Sequence, residues 1–331
     1  MKKENKVQSP LLSVCLITYN HVNYIRQAIE SVLMQEVDFS WELIIADDYS
    51  TDGTREILLE YKNKYPEFIK LILQEKNVGP AQNWKDLITK PNSKYIAYFE
   101  GDDYWIDPLK LKKQVGFLEA NSDYGLVHTH YQTITDGKIE LLINKNNITS
   151  GFVFNELLCH DFFIGTLTVC IKKELIIEWI KNLGNTGLEQ GWKMGDYPIW
   201  LEGALKTKFG YLLDTTACYR KHIGSASNKK DSESRLAFLN SVWDIKNYFI
   251  IREKVPEKIK NRAEADHLLK LLALGFETKN VRVSEDAYLK LKTISDNNFY
   301  NRMMLFGSKN NFNRIITKIY RKLFFNVVNR K

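Results

Sequence analysis

The sequence predicts an α/β fold: a mostly parallel sheet flanked by helices and continued by a helical C-terminal region. Two observations carry this. Apolar runs of strand length recur at Leu11–Ile17, Trp41–Ala46, Ile69–Leu73 and Tyr95–Phe99, and amphipathic segments at 23–35, 54–65 and 80–89 are each long enough for a crossover helix. The 331 residues are 44% hydrophobic and 26% charged, a globular composition that excludes a disordered, collagenous or coiled-coil chain.

Taken in order, the first run follows Lys2 and Lys3 but ends in Thr18-Tyr19-Asn20. It lacks the longer core and small-residue cleavage site of a signal peptide and reads as a buried strand. From 131 to 160 the pattern loosens, with a hairpin expected at Asp136-Gly137. A run from Phe162 to Ile171 resumes the sheet. In the Gly-rich, aromatic stretch Gly184–Trp200, Asp196 followed by Pro198 fits a helix cap with proline in the first turn. A strand at Phe209–Leu213 leads into Tyr219-Arg220-Lys221-His222, and helices are expected beyond 230. No run of about 18–20 apolar residues is available to span a bilayer. Cys15, Cys159, Cys170 and Cys218 are too scattered for a disulfide framework or a C-x-x-C zinc site and read as buried thiols in a reducing compartment.

In open α/β sheets ligands gather at the carboxyl ends of the strands. There the chain places Thr18-Tyr19-Asn20-His21, then Asp47-Asp48-Tyr49-Ser50-Thr51-Asp52-Gly53-Thr54, then Asn77-Val78-Gly79, then Glu100-Gly101-Asp102-Asp103. Asp52 reads as a turn residue before a helix, and His21 as a helix-entry residue. Adjacent Asp102 and Asp103 are harder to explain structurally, because like charges repel unless a cation or donor lies between them. Oxygen ligands in small number suit Mg²⁺ with phosphates completing its shell. No G-x-G-x-x-G follows the first strand, which disfavours a dehydrogenase, and no Gly-rich, Arg-containing loop stands there, which disfavours a nucleotidyltransferase.

The strand ending in T-x-N (Ser13–Asn20), the D-D-x-S-x-D-G-T run (Asp47–Thr54) and Glu100–Asp103 in the place of a D-x-D motif together resemble family 2 glycosyltransferases. The likeness is close over residues 10–130, looser to 225 and lost beyond. It implies a GT-A fold, inversion at the sugar carbon, a nucleotide-diphosphate sugar donor (UDP foremost, with dTDP and GDP open) and Mg²⁺ or Mn²⁺. It implies a catalytic domain over 1–225, with nucleotide-sugar binding in 10–130 and the acceptor and base region in 131–225. Residues 226–331 then form a helical C-terminal region.

Carried over by position, Thr18, Tyr19 and Asn20 would line the nucleotide pocket and Asp48 would accept from the pyrimidine. Asp102 would hold the ribose or sugar, and Asp103 the metal. Asp196 would be the base, in a Gly-Asp-Tyr-Pro context rather than a Glu-Asp pair. His222 would contact metal or diphosphate, with Arg220 as the alternative diphosphate contact. The loop after Gly79 has Gln82 where the family often has Arg. Trp192, Tyr197 and Trp200, near the base in sequence, are candidates to stack on an acceptor sugar. The acceptor implied is a glycan or lipid-linked oligosaccharide of a cell-surface polysaccharide. The competing reading is a catalytically degenerate, membrane-associated scaffold of a polysaccharide-assembly complex, against which the joint retention of Asp48, Asp102, Asp103 and Asp196 argues.

The formal charge of +7 is not spread evenly. Residues 301–331 hold eight bases and no acid, so the first 300 residues carry a net −1. Within 310–328, Phe312, Ile315, Ile316, Ile319, Tyr320, Leu323, Phe324 and Val327 repeat at three- and four-residue steps, with Arg314, Lys318, Arg321 and Lys322 opposite. This pattern predicts a basic amphipathic helix that either lies on an anionic membrane surface or packs on the catalytic domain. A cytoplasmic protein, peripheral at the inner face of the membrane, is the expectation. Nucleic acid is disfavoured because the body offers no basic groove.

Overall fold

Strand β1 (Leu12–Thr18) pairs in parallel with β2 (Trp41–Asp47) on one side and with β4 (Tyr95–Glu100) on the other. Strand β3 (Ile69–Leu73) extends the β2 edge in parallel. The computed structural model describes residues 9–135, 137–141, 148–159, 163–184, 191–222 and 231–294. Because β2 and β4 flank β1 on opposite sides, the chain segments leaving β1 and β4 diverge, which opens a crevice at their carboxyl ends. The covering helices are α1 (Ile25–Leu33), α2 (Thr54–Lys64) and α3 (Pro80–Thr89). Gly79, at φ 85°, turns the chain into α3, and Pro80 takes the first helical position, where its missing N–H costs nothing.

The core explains the apolar runs. Leu12, Val14, Leu16, Leu43, Ile45, Tyr95, Ala97 and Phe99 of the sheet meet Ile25, Ala28, Ile29 and Val32 of α1, all of them buried. Each large side chain contributes roughly 1.5–3 kcal/mol by leaving water. This burial holds the strand ends, and therefore the polar turns after them, in fixed positions.

Beyond β4 the pairing becomes mixed. The strand order is β3-β2-β1-β4-β8-β6-β9-β5, with β7 on β6. Here β5 is Tyr104–Trp105, β6 Tyr124–Thr135, β7 Lys138–Leu141, β8 Cys170–Lys172 and β9 Lys208–Lys221. Strand β8 is antiparallel to β4 and β6, and β5 is antiparallel to β9, while β6 and β9 run parallel. The expected hairpin is present, with Thr135 opposite Lys138 and Gly137 at φ 76°.

Two expectations need correction. Of the run Phe162–Ile171, described from residue 163 on, only the end is strand. Thr166–Thr168 forms a 3₁₀ turn instead, because the Thr168 hydroxyl donates to the Gly165 carbonyl at 2.6 Å and offers the backbone a local alternative. Strand β9 runs on through Tyr219-Arg220-Lys221 rather than ending at Leu213, since it pairs with β6 as far as Thr135–Lys221.

The remaining helices are α4 (Lys110–Ala120), α5 (Phe154–Leu158), α6 (Lys173–Leu183), α7 (Asp196–Ala204), α8 (Ser232–Arg252), α9 (Glu257–Thr278) and α10 (Val281–Ile294). Contacts divide the chain into two units, one of Met1–Phe154, Asp161–Gln190 and Gly195–Ser225, the other of Asn155–His160, Gly191–Met194 and Ala226–Lys331. The second is helical where described. Asp231 caps α8 by accepting from Ser234 N–H at 2.7 Å, and α9 and α10 pack through Leu268, Leu272, Phe276, Ala287 and Leu291. Among the described residues no helix is long and apolar enough to cross a membrane. The amphipathic segment 310–328 lies outside the described residues. All four cysteines are buried, and none forms a disulfide.

Candidate functional site

The turn after β2 is built by Asp47. Its buried carboxylate accepts from the Arg55 Nε–H at 2.6 Å, the Ser50 N–H at 3.1 Å and the Ser50 hydroxyl. Ser50 in turn accepts from the Asn20 N–H at 2.8 Å, and Asn20 Oδ1 accepts from the Thr51 N–H at 3.0 Å. The turns after β1 and β2 are therefore one hydrogen-bonded assembly. Asn20 (φ 52°) and Tyr49 (φ 63°) both hold the left-handed conformation, which Asn tolerates and Tyr does not readily adopt. Asp52 accepts from the Thr54 N–H and hydroxyl and from the Val22 N–H, which is the turn role its sequence context implies.

Of the predicted donor-site residues, Tyr19 is exposed, Asn20 is exposed and Thr18 is buried. The Thr18 hydroxyl lies 3.2 Å from His21 Nδ1, and its carbonyl accepts from the Asp48 N–H at 3.0 Å. Asp48 is buried as well, and its Oδ1 accepts from the Val78 N–H at 2.7 Å. The Asn77–Gly79 loop thus orients Asp48 from the neighbouring strand. Gly101 closes the gap between β1 and β4, since a Cβ there would stand 2.9 Å from Thr18 Oγ1 and 3.1 Å from His21 Nδ1.

Carboxylate oxygens of Glu100, Asp102 and Asp103 lie within 4.8 Å of one another at the end of β4. Asp102 is 7% exposed; its Oδ2 is 2.9 Å from His222 Nε2, while its buried Oδ1 has no hydrogen-bond partner among the described residues. Asp103 Oδ1 accepts from the Arg220 N–H at 2.8 Å. Burial, and then the negative charges of Asp102 and Glu100, raise the Asp103 carboxyl well above the usual range, with Arg220 opposing. Glu100 reaches the surface with part of its side chain, yet desolvation of its carboxyl, followed by Asp102 and Asp196, pushes it up to about 8. Glu100 and Asp103, both raised in part by the Asp102 charge, form with it a site that a divalent cation would relieve.

Arg220 is half-buried and engaged on several sides. Its Nη1–H donates to the Asp102 carbonyl at 2.5 Å, Nη2–H donates to Gln27, and the guanidinium lies 4.5 Å from the Tyr104 ring centre and 5.1 Å from that of Tyr24. Tyr24 also packs on the His222 ring at 4.8 Å. Arg220 thus braces the acidic turn with both ends of its guanidinium.

Asp196 is not the helix cap its context predicted. Gly195 occupies that position, and Asp196 is the first residue of α7. Its Oδ1 accepts from the Tyr197 N–H at 2.8 Å, and its Oδ2 from the Thr166 hydroxyl at 2.8 Å. Burial raises this carboxyl, against the lowering effect of Thr166, the Tyr197 N–H and the Trp200 indole. Glu100, Tyr98 and Tyr131 all stand close enough for its charge to act on them.

Two of the three candidate acceptor aromatics are corrected. Tyr197 is 1% and Trp200 3% exposed, because α7 turns them into the interior, so neither offers a ring face to a sugar. Trp192 belongs to the second unit, where it packs edge-on against Tyr248. Sequence reading missed Arg220's bracing role, Thr166 and the presence of His21 beside Asp102. His21 follows a strand end, which is the one signal that could have marked it.

Comparison with known proteins now bears on this geometry. Residues 13–170 match the family model described as Glycosyl transferase family 2. The protein Rv1520 of Mycobacterium tuberculosis is 44% identical over 112 residues, 34% of this chain and 32% of its own length, so the match spans about a third of that relative. WfgD of Escherichia coli, a UDP-Glc:alpha-D-GlcNAc-diphosphoundecaprenol beta-1,3-glucosyltransferase, is 28% identical over 248 residues, covering 72% of this chain and 87% of WfgD. Among solved structures, Staphylococcus aureus TarS 1–349 with UDP-GlcNAc superposes with a TM-score of 0.56 at 17% identity, over 94% of this chain and 91% of that one. Mannosyltransferase PcManGT from Pyrobaculum calidifontis, with GDP-Man and Mn²⁺, gives 0.57 at 16% identity over 97% and 87%. The shared architecture is the GT-A fold. Residues 13–170, which carry β1 to β4 and the acidic turn, are those of a glycosyl transferase family 2 domain.

Proposed function

We propose that the chain is an inverting glycosyltransferase that moves a sugar from a nucleotide-diphosphate donor, UDP foremost, to a hydroxyl of a glycan or lipid-linked oligosaccharide in cell-surface polysaccharide synthesis. The observation that carries this reading is the convergence of Glu100, Asp102 and Asp103 at the end of β4, with Asp196, held by its own hydrogen bonds, near enough for its charge to act on Glu100. The similarity to WfgD, which acts on a diphosphoundecaprenol-linked sugar, supports the acceptor class.

In this reading Tyr19 and Asn20 border the nucleotide, with the Thr18 backbone beneath it, and Asp48, oriented by Val78, accepts from the base. Asp103 would hold Mg²⁺ or Mn²⁺, and Asp102, expected from the resemblance to hold the ribose or sugar, would join it as a ligand through its unpartnered Oδ1. When bound, the cation supplies positive charge to the departing diphosphate. Asp196 takes the proton of the acceptor hydroxyl as it attacks, a contribution of roughly 10²–10⁴-fold. One base suffices for inversion, because attack comes from the face opposite the leaving group. His222 keeps Asp102 in place, or contacts the diphosphate directly. The basic segment 310–328 brings the enzyme to an anionic membrane surface, where each base is worth about 1 kcal/mol.

The deciding experiment is UDP release from a panel of UDP-sugars by the purified chain. Turnover that requires Mn²⁺ or Mg²⁺ and is lost in Asp102→Ala and Asp103→Ala supports the reading. If no donor in UDP-, dTDP- and GDP-linked panels is turned over or bound, the degenerate scaffold takes its place.

A further inference from the structure

Thr166 stands outside every motif that marks the crevice, yet its hydroxyl donates to Asp196 Oδ2 at 2.8 Å. The turn that carries it is anchored unusually well. The Trp105 indole N–H donates to the Leu167 carbonyl at 3.0 Å, and the Gln114 amide donates to the Thr168 carbonyl at 2.7 Å. Gln114 also accepts from the Lys110 ammonium at 2.6 Å, and that ammonium lies 4.3 Å from the Trp105 ring centre. Trp105, Lys110, Gln114, Leu167 and Thr168 are all buried.

Trp105 follows the acidic pair by two residues, in β5. The turn is therefore bonded at one end to the strand that leaves Asp103 and at the other to the carboxylate of Asp196. A short, rigid strut of this kind fixes where the second carboxylate points relative to the first group of acids. Orientation matters because each carboxylate oxygen accepts along limited directions. With Tyr197 N–H on Oδ1 and Thr166 on Oδ2, the carboxylate cannot rotate, and its remaining lone pairs keep a set direction.

We infer that Thr166 is a positioning residue for Asp196, and that the turn Thr166–Thr168, braced by Trp105 and Gln114, sets the placement of that carboxylate against the acidic turn. The inference rests on the assignment of Asp196 as the base. Thr166 does not touch substrate; it acts through Asp196.

The test measures kcat and KM for the donor in Thr166→Val, Thr166→Ser and Asp196→Asn. Valine keeps the shape and removes the hydroxyl; serine keeps the hydroxyl. Thr166→Val should lower kcat by about 10–100-fold, as loss of orientation does, with the donor KM and thermal midpoint little changed. Thr166→Ser should restore most of kcat. Wild-type kcat in Thr166→Val alongside an inactive Asp196→Asn would overturn the positioning role and leave the base assignment intact. Substantial turnover in Asp196→Asn would instead remove the base assignment, and the inference with it. Equal loss in Thr166→Val and Thr166→Ser would mean that the methyl packing matters, not the hydrogen bond, and would also overturn the inference.

Discussion

His222 Nε2 meets Asp102 Oδ2 at 2.9 Å, although 120 positions separate the two residues in the chain. Strand β9 makes this possible by running past the acidic turn, where the Arg220 N–H and guanidinium bind Asp103 and the Asp102 carbonyl. The late segment of the catalytic unit is thus a brace for the early one. Replacing His222 with Ala releases Asp102, and the Mn²⁺ concentration giving half-maximal donor turnover should rise by roughly 10–100-fold. A metal titration with unchanged midpoint would refute this.

Asp196→Asn keeps both hydrogen-bond positions nearly filled but removes the proton acceptor. Transfer to acceptor should fall by about 10²–10⁴-fold, while the donor still protects the protein against thermal unfolding. Loss of that protection would show the change to be structural.

Gly101 has room for no side chain. In Gly101→Ala the new methyl meets the Thr18 side chain at 2.9–3.0 Å and His21 Nδ1 at 3.1 Å, so β1 and β4 must part at their carboxyl ends. The donor KM should rise several-fold, with a stability loss of about 1–3 kcal/mol. Calorimetry and initial rates measure the two effects separately.

Lys110 is wholly buried, and desolvation lowers its ammonium to about 7, against the attraction of Cys170 and Asp107. In the unfolded chain it titrates at the ordinary value near 10.5. Between these values the unfolded state binds a proton that the folded state does not, so stability from this group rises with pH across about 7 to 10.5 and is lowest below 7. Denaturant unfolding at pH 6, 8 and 10 should show that rise, and Lys110→Met should flatten it. An unaltered slope in the variant would place the pH dependence elsewhere.

Deleting 310–331 removes six of the eight terminal bases and should abolish co-sedimentation with anionic phosphatidylglycerol vesicles at low salt, while donor turnover in solution persists. Equal sedimentation of both forms would remove the membrane role.

Much of the first half of the molecule is legible from sequence. The apolar runs of β1 to β4 and the helices between them are encoded by local periodicity, and burial on both faces leaves little freedom in where such strands lie. Asp48, Asp102 and Asp103 are visible for the same reason, since a strand end is a defined place in a parallel sheet. Tertiary structure alone decided the rest. The mixed pairing beyond β4, the run of β9 to Lys221, the engagement of Arg220 with Asp102 and the Thr166–Asp196 contact all join segments far apart in the chain, and periodicity carries no information about such pairs. Tyr197 and Trp200 show the same limit: helical spacing placed aromatics near Asp196, but only the packing of α7 determined that their rings face inward, where apolar surface leaves water.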